Sequence, residues 1–87
     1  RNTLDLNAIP ILKEKSHLPV IVDPSHGIGL RQHVATMALA GVVAGADGII
    51  IEVHEQPENA FSDGQQTLYY EQAEELYKKA KVLFQHV

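Results

Sequence analysis

Two short β-branched runs, Leu18 to Asp23 (Leu-Pro-Val-Ile-Val-Asp) and Gly48 to Val53 (Gly-Ile-Ile-Ile-Glu-Val), most restrict what this chain can fold into. Neither alternates apolar with polar residues, so each reads as a strand buried on both faces. Between them, Leu30 to Gly45 is Ala-rich and ends in Gly. Its apolar residues Val34, Met37, Ala38, Gly41 and Val42 recur at the three-and-four spacing of a helix. Strand, crossover helix and strand make a βαβ unit, with parallel strands and a right-handed connection. A leading helix is predicted from about Asn7 to Lys15, capped near Asp5 or Leu6, with Pro10 in its first turn. A trailing helix is predicted from near Thr67, with Tyr69, Ala73, Leu76, Ala80, Leu83 and Val87 on one stripe. Its other face carries Glu71, Glu74 and Glu75 early and Lys78, Lys79 and Lys81 late, a solvated surface that suits the helix dipole.

The order is therefore α-β-α-β-α: an α/β chain with two parallel strands and three helices. Two parallel strands cannot close a sheet, and their unpaired apolar edges are a liability that natural proteins cover. The expectation is a slice of a larger α/β sheet or barrel, an incomplete domain that self-associates through its strand edges or is unstable when isolated. With 87 residues, the chain can form one domain at most, and it begins with Arg1 rather than Met, which fits a piece of something longer. The absence of Cys removes disulfides, thiolate nucleophiles and sulfur-ligated zinc, and fits a reducing, cytoplasmic setting. A net charge of −4 without a basic run argues against nucleic acid or anionic membrane as partner. Val34 to Ala46, the longest apolar stretch, falls short of the roughly 20 residues that span a bilayer, and no signal peptide is expected.

Parallel α/β proteins keep their chemistry just past the C-terminal ends of their strands, and His26, Glu52 and Asp63 stand there. His26 follows the first strand in what reads as a turn, Asp23-Pro24-Ser25-His26-Gly27-Ile28-Gly29. Glu52 is an ionisable group inside an apolar run, where an unpaired carboxylate is costly, so a metal ion or a buried His is its natural partner. Asp63 lies on a loop of about a dozen residues after the second strand, longer than most connections. One His with two carboxylates suits Mn²⁺, Fe²⁺, Zn²⁺ or Co²⁺. The plainer reading stays open: a solvated turn His, a turn-forming Asp-Gly, and a Glu paired with a base on another segment. His54 projects to the same side as Glu52, as a rival ligand or, on the preferred reading, a hydrogen-bond partner behind the ligands or a packing residue. His17, His33 and His86 read as surface residues at helix ends or faces. The Gly27 and Gly29 backbone N–H groups, with Arg31 beside them, could meet an anion, although a lone GxG is weak ground.

Taken together, Leu18-Pro-Val-Ile-Val-Asp-Pro-Ser-His-Gly-Ile-Gly29, Ala44-Gly-Ala-Asp-Gly48, Ile51-Glu-Val-His54 and Phe61-Ser-Asp-Gly-Gln-Gln66 closely resemble the C-terminal part of the 3-deoxy-D-arabino-heptulosonate 7-phosphate (DAHP) synthase family. The branch it resembles is the one related to the 3-deoxy-D-manno-octulosonate 8-phosphate (KDO8P) synthases. The resemblance runs from Arg1-Asn-Thr-Leu-Asp5 into the last helix. It implies a TIM (β/α)₈ barrel of which residues 1–87 form the last quarter, from helix six to helix eight. It also implies a transferase that condenses phosphoenolpyruvate with erythrose 4-phosphate to DAHP and phosphate, the first step of the shikimate route to aromatic amino acids. The metal of that family, bound by a Cys, a His, a Glu and an Asp, would here be held by His26, Glu52 and Asp63. The family's Cys has no counterpart, nor do the lysines and most arginines that hold the substrate phosphates; this chain offers Arg31 and, if it reaches, Arg1. The isolated chain is therefore expected to be inactive, with the intact enzyme a homo-oligomer. The alternatives are a KDO8P synthase or another phosphoenolpyruvate-condensing barrel, and a non-catalytic α/β association or metal-binding module.

Overall fold

A computed structural model describes residues 4–59 and 64–87 of the chain. The expectations placed on Arg1 and Asp63 lie outside these described residues. Helix α1 (Ala8–Lys15) leads into strand β1 (Ile21–Val22), then the short helix α2 (Pro24–Ile28) and the long helix α3 (Arg31–Ala44). Strand β2 (Gly48–Ile49), one 3₁₀ turn (Pro57–Asn59) and helix α4 (Tyr70–Phe84) follow. The two strands are parallel, with Ile21 opposite Gly48 and Val22 opposite Ile49. The described residues thus have the α/β order expected of them, two parallel strands among helices, with α2 added.

The ladder is shorter than the apolar runs, for a reason local to the chain. Asp47 N–H donates to the Val20 carbonyl at 2.7 Å and Ile50 N–H to the Val22 carbonyl at 2.9 Å. Pro24 then opens α2, so the first strand has no backbone to offer further along. The second run turns to other partners: Ser25 Oγ accepts from Glu52 N–H at 3.1 Å. On the other side Leu68 N–H donates to the Glu52 carbonyl at 2.8 Å, and His54 N–H to the Leu68 carbonyl at 3.0 Å. Leu68 forms a parallel bridge with Val53, which delays α4 to Tyr70 rather than Thr67.

Val34, Ala38, Gly41 and Val42 of α3 are buried, as their spacing requires. Gly41 allows the helix to lie close against β1: a Cβ there would stand 2.9 Å from Val22 Cγ1. The first core cluster joins Val34 and Ala38 to Leu68 and Leu76; the second joins Ile9, Val22 and Ala46. The α4 stripe buries Leu76 and Ala80, whereas Val87 lies past the helix end and is exposed. The cap of α1 is Asn7, whose N–H donates to Asp5 Oδ1 at 3.1 Å.

Burial on both strand faces is not what the structure gives. Val22 packs inward, but Ile21 and Ile50, which share the opposite face, are 55% and 58% exposed. An open apolar groove of about 540 Å³ runs between β2 and α4, bordered by Ile49, Ile51, Leu76, Tyr77 and Phe84. Among the described residues no helix is long and apolar enough to cross a membrane.

At the N-terminal end of the sheet, Asp47 Oδ2 accepts from Lys13 Nζ at 2.7 Å and from Val20 N–H at 2.8 Å. The lysine hydrogen bond, followed by the Val20 amide, holds the Asp47 carboxyl below the usual aspartate range. Its contribution to stability is therefore present above that range and lost as pH falls through the lowered folded value. Asp47→Asn is expected to flatten the acid side of a melting-temperature profile below about pH 4. An unchanged acid slope would show that the bond contributes nothing.

The uncovered Ile21 and Ile50 face yields a second expectation. The isolated chain should elute from a sizing column as an assembly larger than 9.6 kDa. A monodisperse monomer with a cooperative melt would contradict it.

Candidate metal centre

The segment after β1, which reads as a turn, is a five-residue helix. Asp23 caps it and Pro24 occupies its first position. Asp23 Oδ1 accepts from His26 N–H at 3.1 Å, and Oδ2 lies 2.7 Å from His26 Nδ1. An ionised carboxylate can only accept, so Nδ1 carries the proton of this contact. The ring is thereby oriented with Nε2 3.5 Å from Glu52 Oε2.

Glu52 is fixed through its backbone, by the buried Ser25 hydroxyl on one side and the Leu68 amide on the other. Its side chain is one-third exposed, less enclosed than an apolar run suggests. Its two oxygens have different neighbours: Oε2 faces His26, and Oε1 accepts from Gln66 Nε2 at 3.3 Å. A His thus stands beside this carboxylate, as one of its two expected kinds of partner would, but it is half exposed rather than buried.

The structure therefore brings His26 and Glu52 together. His54 is differently engaged: its Nδ1 accepts from Gln56 N–H at 2.9 Å, within its own turn. His17, His33 and His86 are exposed, as expected. The anion cradle imagined for Gly27 and Gly29 gives way, because Gly27 N–H donates to the Asp23 carbonyl and Gly29 N–H to the Ser25 carbonyl. Both glycines answer to sterics instead. A Cβ on Gly27 would meet Leu4 Cδ1 at 2.8 Å, and Gly29 ends α2 at a φ of 74°. The Arg31 side chain is likewise engaged by backbone: Nε donates to the Thr67 carbonyl at 2.7 Å and Nη2 to the Gly64 carbonyl at 2.8 Å.

Among the described residues no three His, Cys, Asp or Glu side chains are grouped to hold a metal. The pair His26 and Glu52 nevertheless fits part of such a site. One imidazole nitrogen and one carboxylate oxygen converge, and the imidazole is steadied from behind by Asp23, the usual support of a metal-binding His. Asp23, Ser25 and Gln66 are the participants that sequence reasoning missed. Asp23 had a signal, an Asp three residues before His26 with Pro24 between them, which is a helix N-cap pattern. Gln66 had none.

Comparison with known proteins gives the following. The family model described as "DAHP synthetase I family" matches residues 1–87. The phospho-2-dehydro-3-deoxyheptonate aldolase of Thermotoga maritima is 51% identical over 83 residues, covering 95% of this chain and 25% of the relative. A 2-dehydro-3-deoxyphosphooctonate aldolase of Desulfosudis oleivorans is 40% identical over 84 residues, covering 84% of this chain and 30% of the relative. Among solved structures, a truncated 3-deoxy-D-arabino-heptulosonate 7-phosphate synthase from Thermotoga maritima matches with a TM-score of 0.91 at 51% identity. That match covers 95% of this chain and 32% of the other. The chain thus spans between a quarter and a third of the length of these relatives.

Asp23 is expected to hold both the helix start and the ring. Asp23→Ala should cost about 1 kcal/mol of stability through the lost cap and release the His26 tautomer, followed by imidazole ¹⁵N shifts. Retention of the Nδ1 proton in that variant would show that Asp23 does not set the ring's state.

Proposed function

The chain belongs to the DAHP synthetase I family, and we propose that it is the C-terminal quarter of a metal-dependent DAHP synthase barrel. The complete enzyme on this reading is a cytoplasmic homo-oligomer. It condenses phosphoenolpyruvate with erythrose 4-phosphate to DAHP and phosphate, at the head of aromatic amino acid biosynthesis. The observation that carries the reading is the convergence of His26 Nε2 and Glu52 Oε2 at 3.5 Å, just past the ends of two parallel strands. The greater identity to the heptonate aldolase, 51% against 40% for the octonate enzyme, supports this acceptor over the longer sugar.

His26, Glu52 and Asp63 would hold the divalent ion, with Mn²⁺, Fe²⁺, Zn²⁺ and Co²⁺ all suited to such nitrogen and oxygen donors. Bound there, it would supply Lewis-acid polarisation to the aldehyde of the acceptor sugar phosphate. The chain's own residues prepare that place. Asp23 holds the His26 proton on Nδ1 and so directs Nε2 inward. Ser25 and Leu68 fix the Glu52 backbone, and Gln66 turns its Oε1 aside so that Oε2 faces the imidazole. The substrates' phosphates need cations from the rest of the enzyme, because Arg31 is engaged with backbone carbonyls. A stand-alone association module is disfavoured by the exposed Ile21 and Ile50 face, which a self-sufficient domain would cover.

The test is an assay of the complete polypeptide that carries this sequence, with phosphoenolpyruvate and either erythrose 4-phosphate or a five-carbon aldose phosphate. Turnover with the four-carbon sugar is expected to be lost on chelation and restored by Mn²⁺. His26→Ala and Glu52→Ala should each lower it by more than about 100-fold, since even residues behind the ligands are worth about 10- to 100-fold. Preference for the five-carbon acceptor would move the enzyme to the KDO8P branch. Full activity in the Glu52→Ala variant would remove the metal reading.

A further inference from the structure

We infer that Arg31 is a positioning residue for the metal centre, acting through the returning segment Gly64 to Tyr69 rather than on substrate. The inference rests on the reading of His26 and Glu52 as metal ligands. Arg31 opens α3, immediately after the turn that ends α2, and holds the returning segment at four places. Its backbone N–H donates to the Gln65 carbonyl at 3.0 Å, Nε to the Thr67 carbonyl at 2.7 Å and Nη2 to the Gly64 carbonyl at 2.8 Å. Its guanidinium also stacks on the Tyr69 ring, 4.9 Å from the centroid.

The far side of that ring system is anchored too. Tyr69 Oη donates to Glu58 Oε1 at 3.1 Å, beside the point where Gly64 packs on the Pro57 carbonyl so closely that a Cβ would stand 2.5 Å from it. The Glu58 carboxyl is held below the usual range, first by its own backbone N–H and then by the Tyr69 hydroxyl, with Arg31 adding a smaller attraction. Between the clamped Gln65 and Thr67 sits Gln66, buried, with Nε2 on Glu52 Oε1. Leu68, one residue past Thr67, holds the Glu52 carbonyl. The clasp therefore fixes both the side-chain and the backbone partner of one ligand.

A guanidinium can donate to two carbonyls and stack on a ring at once, whereas an ammonium is a point charge without that planar fork. Arg31→Lys therefore keeps the charge and the backbone bond to Gln65 but removes the guanidinium fork of the clasp, which separates positioning from electrostatic attraction of an anionic substrate. In the complete polypeptide, Mn²⁺ affinity is read from the free-ion electron paramagnetic resonance signal. Arg31→Lys and Gln66→Ala are each expected to weaken it about 10-fold. The double variant should be no weaker than the weaker single one, because both changes cut one chain of contacts. Hydrogen exchange should quicken at residues 64–69 and stay unchanged in α1. Should Arg31→Lys fail to fold, Tyr69→Leu removes the stacking ring and is expected to weaken Mn²⁺ in the same direction.

Wild-type affinity in Arg31→Lys and Tyr69→Leu overturns the inference, as do losses that simply multiply in the double variant. A rise in KM for a phosphorylated substrate with Mn²⁺ affinity untouched would likewise overturn it, placing Arg31 on the substrate. A wild-type protein that binds no Mn²⁺ overturns the metal reading itself and takes this inference with it.

Discussion

Beyond Ile49 the second strand has no strand to pair with on the β1 side, because Pro24 has already turned the preceding chain into α2. Backbone polar groups at a half-buried position must still find partners. Glu52 finds them on two sides, in the Ser25 hydroxyl from α2 and the Leu68 amide from the returning chain. That transfer of hydrogen bonds from strand to helix start is what the candidate centre depends on. It places α2, and hence His26, against the extension of β2, and it draws Gln66 to the same carboxylate.

The two ends of the short sheet are divided in their work. At the N-terminal end, Asp47 links Lys13 of α1 to Val20 through two hydrogen bonds, and both partners lower its carboxyl's proton affinity. Those contacts join α1 to the strands. At the C-terminal end the ionisable groups face one another instead, Asp23 on His26 and His26 on Glu52. Between the two ends α3 lies close against β1, because Gly41 presents no side chain to that of Val22.

Much of this was legible in the residues. The three-and-four spacing of Val34, Ala38, Gly41 and Val42 gave α3 its buried face, and the β-branched runs gave the parallel pair. An ionisable residue inside Ile49 to Val53 and a His past the first strand were enough to single out the pair that the fold brings together. What was not legible has physical reasons. Hydrophobicity reports burial, not pairing, so the strands looked longer than a ladder cut short by Pro24. Gly27 and Gly29 suggested a turn, while the Asp23 cap and Pro24 suffice to start a helix across the first of them. Gln66 is a polar residue in a polar stretch, and only the return of the chain to Glu52 gives it a role. Arg31 looked available to anions because sequence spacing does not show that the carbonyls of residues 64 and 67 come back to it.

Charge is the remaining constraint, and it bears on what the mouth of the sheet can hold. Asp23 and Glu52 flank a single imidazole, so two carboxylates meet one ring. The arginine adjacent in space directs its donors at Gly64 and Thr67 carbonyls and its face at Tyr69. The local field is therefore negative, which attracts a cation and repels a phosphorylated substrate. On the proposed reading, a divalent ion held by His26 and Glu52 would reverse that sign at the point where the two donors converge, and phosphate-binding cations from the rest of the polypeptide would complete the reversal. Arg31, although cationic, serves this balance by geometry: its charge is spread over the backbone that holds Gln66 and Leu68 against Glu52, and the carboxylate they orient is the group that would attract the metal.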